Sequence, residues 1–268
     1  MRRLAARLAA VALLLGLLPL TAGACNISCA CASTPDPNWT PVPVSPQDAT
    51  AAAAKFAAGS TGTQPGDLAA YMGYASEDPK RPLFAVHGSS VDAIVDAIGD
   101  MVIEYVQVDA IPDSPDVAIT SADAQAQATS FLSDRDRDTG ILLATTTLQS
   151  GAASAYVVTW ADKSGGAGQI SVWVNPSTGT PYAFADQRFG VQFVPPSISA
   201  AEAGRLALAT VSAPGEVVLS ADLQLGFDSA TWSVALGTPG AGASAAPDHG
   251  AMVDVDAVTG AVTIGKSW

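Results

Sequence analysis

The sequence predicts an α+β protein made of tandem copies of one small module, each a helix packed on a small antiparallel sheet. The first observation is a hexapeptide of aliphatic, hydroxyl, two residues, carboxylate and alanine. It occurs three times, as "VSPQDA" at Val44–Ala49, "ITSADA" at Ile119–Ala124 and "ISAAEA" at Ile198–Ala203. The second observation is an alanine-rich helical segment after each hexapeptide, and the third is a series of extended segments after each helix. Copies that recur roughly every 75 to 80 residues have the length of a small domain.

The first 24 residues are predicted to be an export signal. Three arginines precede an apolar run, Leu8–Leu20, that is shorter than the roughly 20 residues a membrane-spanning helix needs. Ala22–Ala24 then supplies the small-residue cleavage site typical of such signals. Cys25 follows directly, which resembles a bacterial lipoprotein signal, in which the cysteine after the cut carries the lipid. Because Ala22 stands where those signals usually have Leu, Val or Ile, secretion with an unmodified Cys25 remains the alternative.

Residues 25–43 are predicted to form a stiff tether, because they are rich in proline and cysteine. All three cysteines of the chain lie in it, at positions 25, 29 and 31. No cysteine follows, so no disulfide is available to the part of the chain that is expected to fold. We therefore interpret these cysteines as part of a membrane anchor and not of a binding site.

The charge of the chain restricts its partners. The formal net charge is −13, and removing the signal with its three arginines makes it −16. Charge of that sign opposes binding to nucleic acid and to anionic lipid surfaces. It favours solubility, and it speeds encounters with basic partners.

Each hexapeptide is predicted to start a helix through a capping box. In that motif a hydroxyl accepts a hydrogen bond from the backbone three residues on, and the carboxylate there reaches back to the cap residue. Glutamate is expected to fit the motif best, since aspartate is shorter and closes it less well. The same carboxylates could be catalytic acids, but capping explains all three at once. The predicted pairs are Ser45 with Asp48, Thr120 with Asp123, and Ser199 with Glu202.

The segments after each helix predict about three strands per module. The middle strands share an aromatic–any–valine pattern, which is typical of the core of a half-buried sheet, with a ligand-binding platform as the alternative. Each module then closes with a turn in which a glycine is expected to supply a positive φ. The aromatic positions are Phe84, Tyr156 and Trp232, and the turn glycines are Gly99, Gly179 and Gly260.

This combination of motifs resembles the PepSY domain family. The third copy matches best, through Ser199–Ala203 and the closing "VDAVTGAV" at Val255–Val262. The second copy has Asn175-Pro176 in place of Asp-Ala, and the first lacks the threonine of the turn. The resemblance implies protease propeptides or small exported domains that inhibit or chaperone proteases; it brings no catalytic residues, and no cofactor is expected. The modules it implies are 44–111, 117–193 and 196–268.

Few motifs point to chemistry. The sequence has no His-Glu-x-x-His and no Gly-x-Ser-x-Gly, and both histidines, His87 and His249, are interpreted as surface loop residues without metal-ligand spacing. The stretch "SDRDRDTG" offers a weak calcium candidate through its alternating acids Asp134, Asp136 and Asp138. Its glycine comes one place late, a threonine replaces the bidentate glutamate, and two arginines offset the acids. A solvated loop is therefore favoured over a calcium site.

The sequence thus predicts a binding protein and not an enzyme. One class is an exported protein that holds, inhibits or chaperones another exported protein, such as a protease, through a strand edge that a small sheet leaves unpaired. A second class is an envelope lipoprotein that binds a small molecule or a cation. A third is a hydrolase, which would need its carboxylates clustered in a cleft.

Overall fold

The structure is a computed structural model that describes residues 43–59, 62, 64–74, 80–139, 142–150, 153–161, 169–189, 193–211, 215–227, 229–238 and 250–267. The predicted export signal, Cys25 and nearly all of the predicted tether lie outside these residues. Within them, each hexapeptide is followed by one helix and four strands. All strands pair antiparallel, so the fold class is α+β.

Each helix begins directly after the hydroxyl residue of its hexapeptide. The first module contains α1 (Pro46–Ala58), β1 (Ala69–Tyr74), β2 (Pro82–His87), β3 (Val91–Asp96) and β4 (Met101–Gln107). The second contains α2 (Ser121–Ser133), β5 (Leu143–Gln149), β6 (Ala155–Ala161), β7 (Ile170–Val174) and β8 (Pro181–Asp186). The third contains α3 (Ala200–Val211), β9 (Val217–Leu225), β10 (Ala230–Gly237), β11 (Gly250–Asp256) and β12 (Val262–Ser267).

The first two modules share one eight-stranded sheet with the order β1-β2-β3-β4-β8-β7-β6-β5. Its halves join where Glu104–Val106 of β4 pairs with Ala183–Ala185 of β8. The expectation of a separate small sheet under each helix is therefore wrong for these modules, and each module has four strands instead of about three. Pairing the two closing strands satisfies backbone groups that separate sheets would leave open. The third module keeps its own sheet, β12-β11-β10-β9.

Helices α1 and α2 cover one face of the large sheet, which we call the front face. Phe56 of α1 and Phe131 of α2 occupy the same position after their helix caps. They pack on Tyr105 and Phe184, which are cross-strand partners in β4 and β8. The ring centroids in this aromatic cluster lie 5.0 to 6.4 Å apart, which is the favourable range for tilted and edge contacts. The joint between the two modules is therefore a packed core.

The third module covers the opposite, back face of the large sheet. Strand β9 lies against β2 and β3, and one apolar cluster combines Leu83 and Ile94 of the sheet with Leu225 of β9. Gly73 of β1 permits a close approach, because a side chain there would overlap the ring of Phe227. Strands β2 and β3 are consequently buried at nearly every position and not at alternate ones, as expected for strands covered on both faces.

The hexapeptide and the closing turn of each module meet in space. In all three modules the N–H of the first hexapeptide residue donates to a carbonyl of the closing turn. The acceptor is the residue directly after the aspartate or asparagine that begins the turn. These bonds run from Val44 to Ala97 (2.7 Å), from Ile119 to Pro176 (3.1 Å) and from Ile198 to Ala257 (3.0 Å). Two motifs that lie far apart in the sequence thus form one contact in each module.

The turn residue with positive φ differs in the first module. Gly179 and Gly260 have φ of 78° and 73°, as predicted, but in the first turn the left-handed residue is Asp100, with φ of 53°. The prediction for Gly99 is therefore wrong. The left-handed position falls one residue later there, and aspartate tolerates it better than most residues other than glycine.

Candidate partner-binding edge

The first two helix starts contain complete capping boxes. Asp48 N–H donates to Ser45 Oγ and Ser45 N–H donates to Asp48 Oδ2, both at 3.1 Å. The corresponding bonds between Thr120 and Asp123 are 3.2 and 3.0 Å. Hydrogen bonds from Ser45 and Thr120 hold the pKa of Asp48 and of Asp123 below the ordinary aspartate range. Both carboxylates are exposed at helix starts.

The third helix start is only half of a capping box. Glu202 N–H donates to Ser199 Oγ at 3.3 Å, but the two Glu202 carboxylate oxygens accept from Arg205 at 2.7 and 2.6 Å. This pairing lowers the pKa of Glu202. The expectation that glutamate would close the box best is wrong here, because the longer side chain reaches a guanidinium one turn on. The first two helices have Ala51 and Ala126 at that position.

The aromatic residues of the middle strands anchor the helix starts. Tyr156 Oη donates to the Ile119 carbonyl at 3.2 Å, and Trp232 Nε1 donates to the Ile198 carbonyl at 2.7 Å. Phe84 has no donor and is fully buried in the first module. All three rings lie in the core, which leaves no face of these rings for a ligand platform.

The three aspartates of the loop after α2 face solvent. Asp134, Asp136 and Asp138 are exposed, and Asp136 has a φ of 53°. Among the residues that the structure describes, no group of three or more His, Cys, Asp or Glu side chains is placed to hold a metal ion. Gly140, the glycine of the calcium-like pattern, lies outside the described residues.

The two arginines of the same loop turn inward and bridge the first two modules. Arg135 donates to the carbonyls of Ala57 in α1 and Phe131 in α2, at 3.1 and 3.2 Å. Its guanidinium lies 3.7 Å from the centroid of the Phe131 ring. Arg137 donates to the Val102 carbonyl at 2.6 Å. Burial lowers the pKa of both guanidinium groups. The contacts of the two arginines give the basic residues of this loop a structural role.

Of the remaining residues singled out in the sequence, the structure describes only His87. Cys25 and His249 lie outside the described residues. His87 is the last residue of β2, so its interpretation as a loop residue is wrong. No helix in the described ranges is long and apolar enough to cross a membrane.

In the described part of the chain, the open edges of the large sheet are β1 and β5, and they differ from the outer strands of the small sheet. Neither "AAYMGY" nor "LATTTLQ" contains a charge or a proline, and each pairs with its neighbour without a register shift. In the small sheet β9 contains Asp222, β12 contains Lys266, and each is paired with a register shift. Charges and bulges discourage edge pairing in natural proteins. Of the two sheets, the large one therefore has the outer strands with fewer of these protective features.

Strand β1 has the side chains of a binding edge. Tyr71, Met72 and Tyr74 are 62, 52 and 53% exposed, which is unusual for residues of this size in one short strand. Tyrosine and methionine are enriched in the centres of protein interfaces. Strand β5 exposes two leucines, Leu143 and Leu148, beside a run of three threonines. We therefore take β1 as the candidate partner-binding edge.

A cavity of about 540 Å³ lies beside β1 on the back face, where the β2–β3 hairpin approaches β9 of the third module. Its wall includes Tyr71, His87, Asp67 and Asp222, and none of the described residues that line it is a lysine or arginine. Asp67 Oδ2 accepts from Ser89 N–H at 2.9 Å, and hydrogen bonds from Ser89 lower the pKa of Asp67. The cavity is therefore acidic and continues from the open edge.

A buried aspartate, Asp92, connects residues around this cavity. Asp92 Oδ2 accepts from Leu225 N–H of β9 at 2.8 Å, and Oδ1 accepts from Gly88 N–H at 3.3 Å. His87 Nδ1 lies 3.2 Å from Asp92 Oδ2, an ion pair whenever the imidazole is protonated. The Tyr71 and His87 rings are 5.9 Å apart. One fully buried carboxylate thus fixes the hairpin, the histidine and the third module relative to one another.

Sequence reasoning missed the residues of this edge and cavity. The absence of charge in "AAYMGY" was a readable signal for an unprotected edge strand. The spacing of Asp67, His87 and Asp222 carried no such signal, because these residues come from three separate segments of two modules.

Comparisons with known proteins find only distant structural likeness. No protein-family profile matches the sequence. No curated protein matches it either. Among solved structures, the C-terminal domain of Bacillus megaterium YpeB is 15% identical with a TM-score of 0.41, covering 84% of this chain and 99% of that domain. A protein of Clostridium difficile 630, provisionally classed as a lipoprotein, is 12% identical with a TM-score of 0.21, covering 59% of this chain and 93% of that one. Similarity at this level establishes neither a family nor a function.

Proposed function

We propose that this chain is an exported, non-enzymatic protein that holds another exported protein by accepting one of its strands at β1. The observation that carries the proposal is the edge itself, which is uncharged, regularly paired and lined by the exposed Tyr71, Met72 and Tyr74. An unprotected edge of this kind is a template for pairing with another chain. A protein that retains one is expected to use it.

Strand addition at this edge has a clear physical basis. Backbone hydrogen bonds along the added strand provide affinity, and its alternate side chains provide specificity. The edge belongs to a sheet whose neighbouring strands β2 and β3 are buried on both faces. A partner strand would therefore bind a template that is already ordered, which reduces the entropic cost of association.

The identity of the modules and of the partner rests on the PepSY resemblance. The threefold repeat of helix, four strands and hexapeptide-to-turn contact supports tandem PepSY-like modules. Propeptides of that family act on a protease partner, so inhibition or chaperoning of an exported protease is the expected role. The predicted mature net charge of −16 favours a basic partner and an association rate that falls as salt rises.

The proposed location is the extracellular face of the cell membrane, with a lipid on Cys25 as the anchor, or free secretion. The support is the position of Cys25 directly after the predicted cleavage site. The intact mass of the protein from the membrane fraction should include a diacylglyceryl adduct. A soluble, unmodified chain that begins at Cys25 would contradict lipidation and leave secretion.

The proposed function is tested by titrating the full chain against the secreted proteases of its source organism. We expect slower peptide cleavage by the partner protease, with the effect lost in a Tyr71→Ala/Tyr74→Ala variant. The matched control is Leu143→Ala/Leu148→Ala in β5, which removes exposed side chains from the other edge and should leave inhibition intact.

Two outcomes would contradict this proposal. Equal loss in the β5 control would show that β1 is not the binding edge. If no protease is slowed and pull-downs recover no protein partner, the envelope lipoprotein that binds a small molecule or a cation becomes the better explanation.

A further inference from the structure

We infer that the strand bound at β1 inserts a lysine or arginine side chain into the acidic cavity beside Tyr71. This inference rests on the proposed function and adds the chemistry of the partner segment. It follows from which part of the back face the third module covers, and from the charges that surround the part it leaves open.

The third module divides the back face of β1 into a closed end and an open end. Tyr71 pairs with Ala85, whose side chain belongs to the back-face cluster, so Tyr71 and Gly73 both lie on that face. Phe227 occupies the space beside Gly73. Beside Tyr71 the cavity of about 540 Å³ stays open. A strand added along β1 therefore has room for one large back-facing side chain, next to Tyr71.

The chemistry of the cavity selects a basic side chain. Asp67 and Asp222 supply two carboxylates, and the exposed Tyr71 supplies an aromatic face for a cation. Among the residues that the structure describes, no lysine or arginine lines the cavity. An acidic side chain would meet like charge. An apolar side chain would cover the two carboxylates without supplying an opposing charge, which is unfavourable.

The front face of the same edge specifies the neighbours of that basic residue. Met72 pairs with Phe84 on the front face, where it is exposed together with Tyr74. Because successive residues of a strand point to opposite faces, one neighbour of the basic residue would lie beside Met72, and the residue three positions away in the same direction would lie beside Tyr74. The expected segment therefore has a basic residue, an apolar residue next to it, and a second apolar residue three positions away on the same side.

The probe is a fluorescent peptide, Thr-Val-Thr-Val-Xaa-Val-Thr-Val-Thr, with Xaa as Arg, Lys, Gln or Glu. Binding to the full chain is measured by fluorescence anisotropy at low and high salt. A Gln peptide methylated on alternate backbone nitrogens is the control for strand pairing. The protein variants are Asp222→Asn, whose side chain is exposed, and Asp134→Asn, an equal charge change in the loop after α2.

We expect the Arg and Lys peptides to bind about fivefold more tightly than the Gln peptide, and the Glu peptide more weakly. The difference should shrink at high salt and largely disappear in Asp222→Asn, while Asp134→Asn retains it. Equal binding of the Arg, Gln and Glu peptides would overturn the inference, as would equal effects of the two aspartate variants.

The peptides also separate this inference from the proposed function. If the Gln peptide binds, loses binding on methylation and loses it in Tyr71→Ala, strand addition at β1 stands whatever the preference at Xaa. If every peptide fails to bind, or binding is insensitive to methylation, both the inference and strand addition are contradicted.

Discussion

The two sheets of this protein start from the same module and end differently. In the first two modules the closing strands β4 and β8 pair with each other, whereas the closing strand β12 of the third module is an edge. Five residues after the left-handed turn residue, the first two modules have Tyr105 and Phe184, and the third has Gly265. At the matching helix position, Phe56 and Phe131 correspond to the exposed Thr210.

Two positions in each module therefore differ between the modules that share a sheet and the module that keeps its own sheet. The aromatic residues at these positions form the cluster at the joint of the large sheet, and the third module has none of them. It has the same order of one helix and four strands, and the same hydrogen bond from its hexapeptide to its closing turn. The fold of a module and its assembly with a neighbour are thus specified by different residues.

Phe184→Ala is expected to have the largest effect on the joint between the first two modules. Removing a fully buried ring from the joint should cost about 4 kcal/mol through lost burial and the cavity left behind. Because the cluster includes both helices, hydrogen exchange should accelerate in the first module as well as the second. Urea unfolding of the full chain measures the loss. Faster exchange confined to β5–β8 would show that the joint does not couple the modules.

The contact between the two sheets is tested by Asp92→Ala. This change leaves the buried Leu225 N–H without its acceptor and should destabilise the docked third module by about 2 kcal/mol. Faster exchange is expected in β9 and in the β2–β3 hairpin. The comparison variant is Asp222→Asn. Asp222 is exposed in β9, the strand that contains Leu225, and its substitution should leave stability unchanged. An Asp92→Ala protein with unaltered exchange in β9 would refute the role of this aspartate.

The loop after α2 is tested by Arg135→Met, which retains much of the apolar stem but removes the bonds to Ala57 and Phe131. We expect a loss of about 1.5 kcal/mol in unfolding free energy. Asp136→Asn in the same loop should have no effect, because asparagine also tolerates its positive φ. A larger effect from Asp136→Asn, or stabilisation of the wild type by calcium, would return the aspartates to consideration as a metal site.

The smallest expected difference lies between the helix starts. Thr120→Ala should cost about 1 kcal/mol, and Ser199→Ala about half of that, because only the former breaks a complete capping box. The pKa of Asp123 is lowered in the folded protein, so its stabilisation is present above the unfolded aspartate pKa and is lost as pH falls through the folded pKa. The Thr120→Ala effect should accordingly shrink in acid. Equal effects of both substitutions at neutral pH would contradict the difference between the helix starts.

The sequence by itself determined the local features. A hydroxyl and a carboxylate three residues apart set the starts of α1 and α2, since both groups of a capping box lie within one turn. Glycine in the closing turns anticipated positive φ at Gly179 and Gly260, because few other residues adopt it readily. Alternation and aromatic residues located the middle strands. In all these cases the interacting groups are close in sequence, so a short pattern carries the information.

Only the tertiary structure decided the features that join distant segments. The pairing of Glu104–Val106 with Ala183–Ala185 joins the strands of two modules in one sheet. Neither short sequence predicts the other as its partner. The inward turn of Arg135 depends on a carbonyl of α1, and the candidate cavity combines residues of the first and third modules. The physical reason is that an unpaired edge or a buried charge is settled by whichever distant partner satisfies its hydrogen bonds, and that partner is selected by packing of the whole chain.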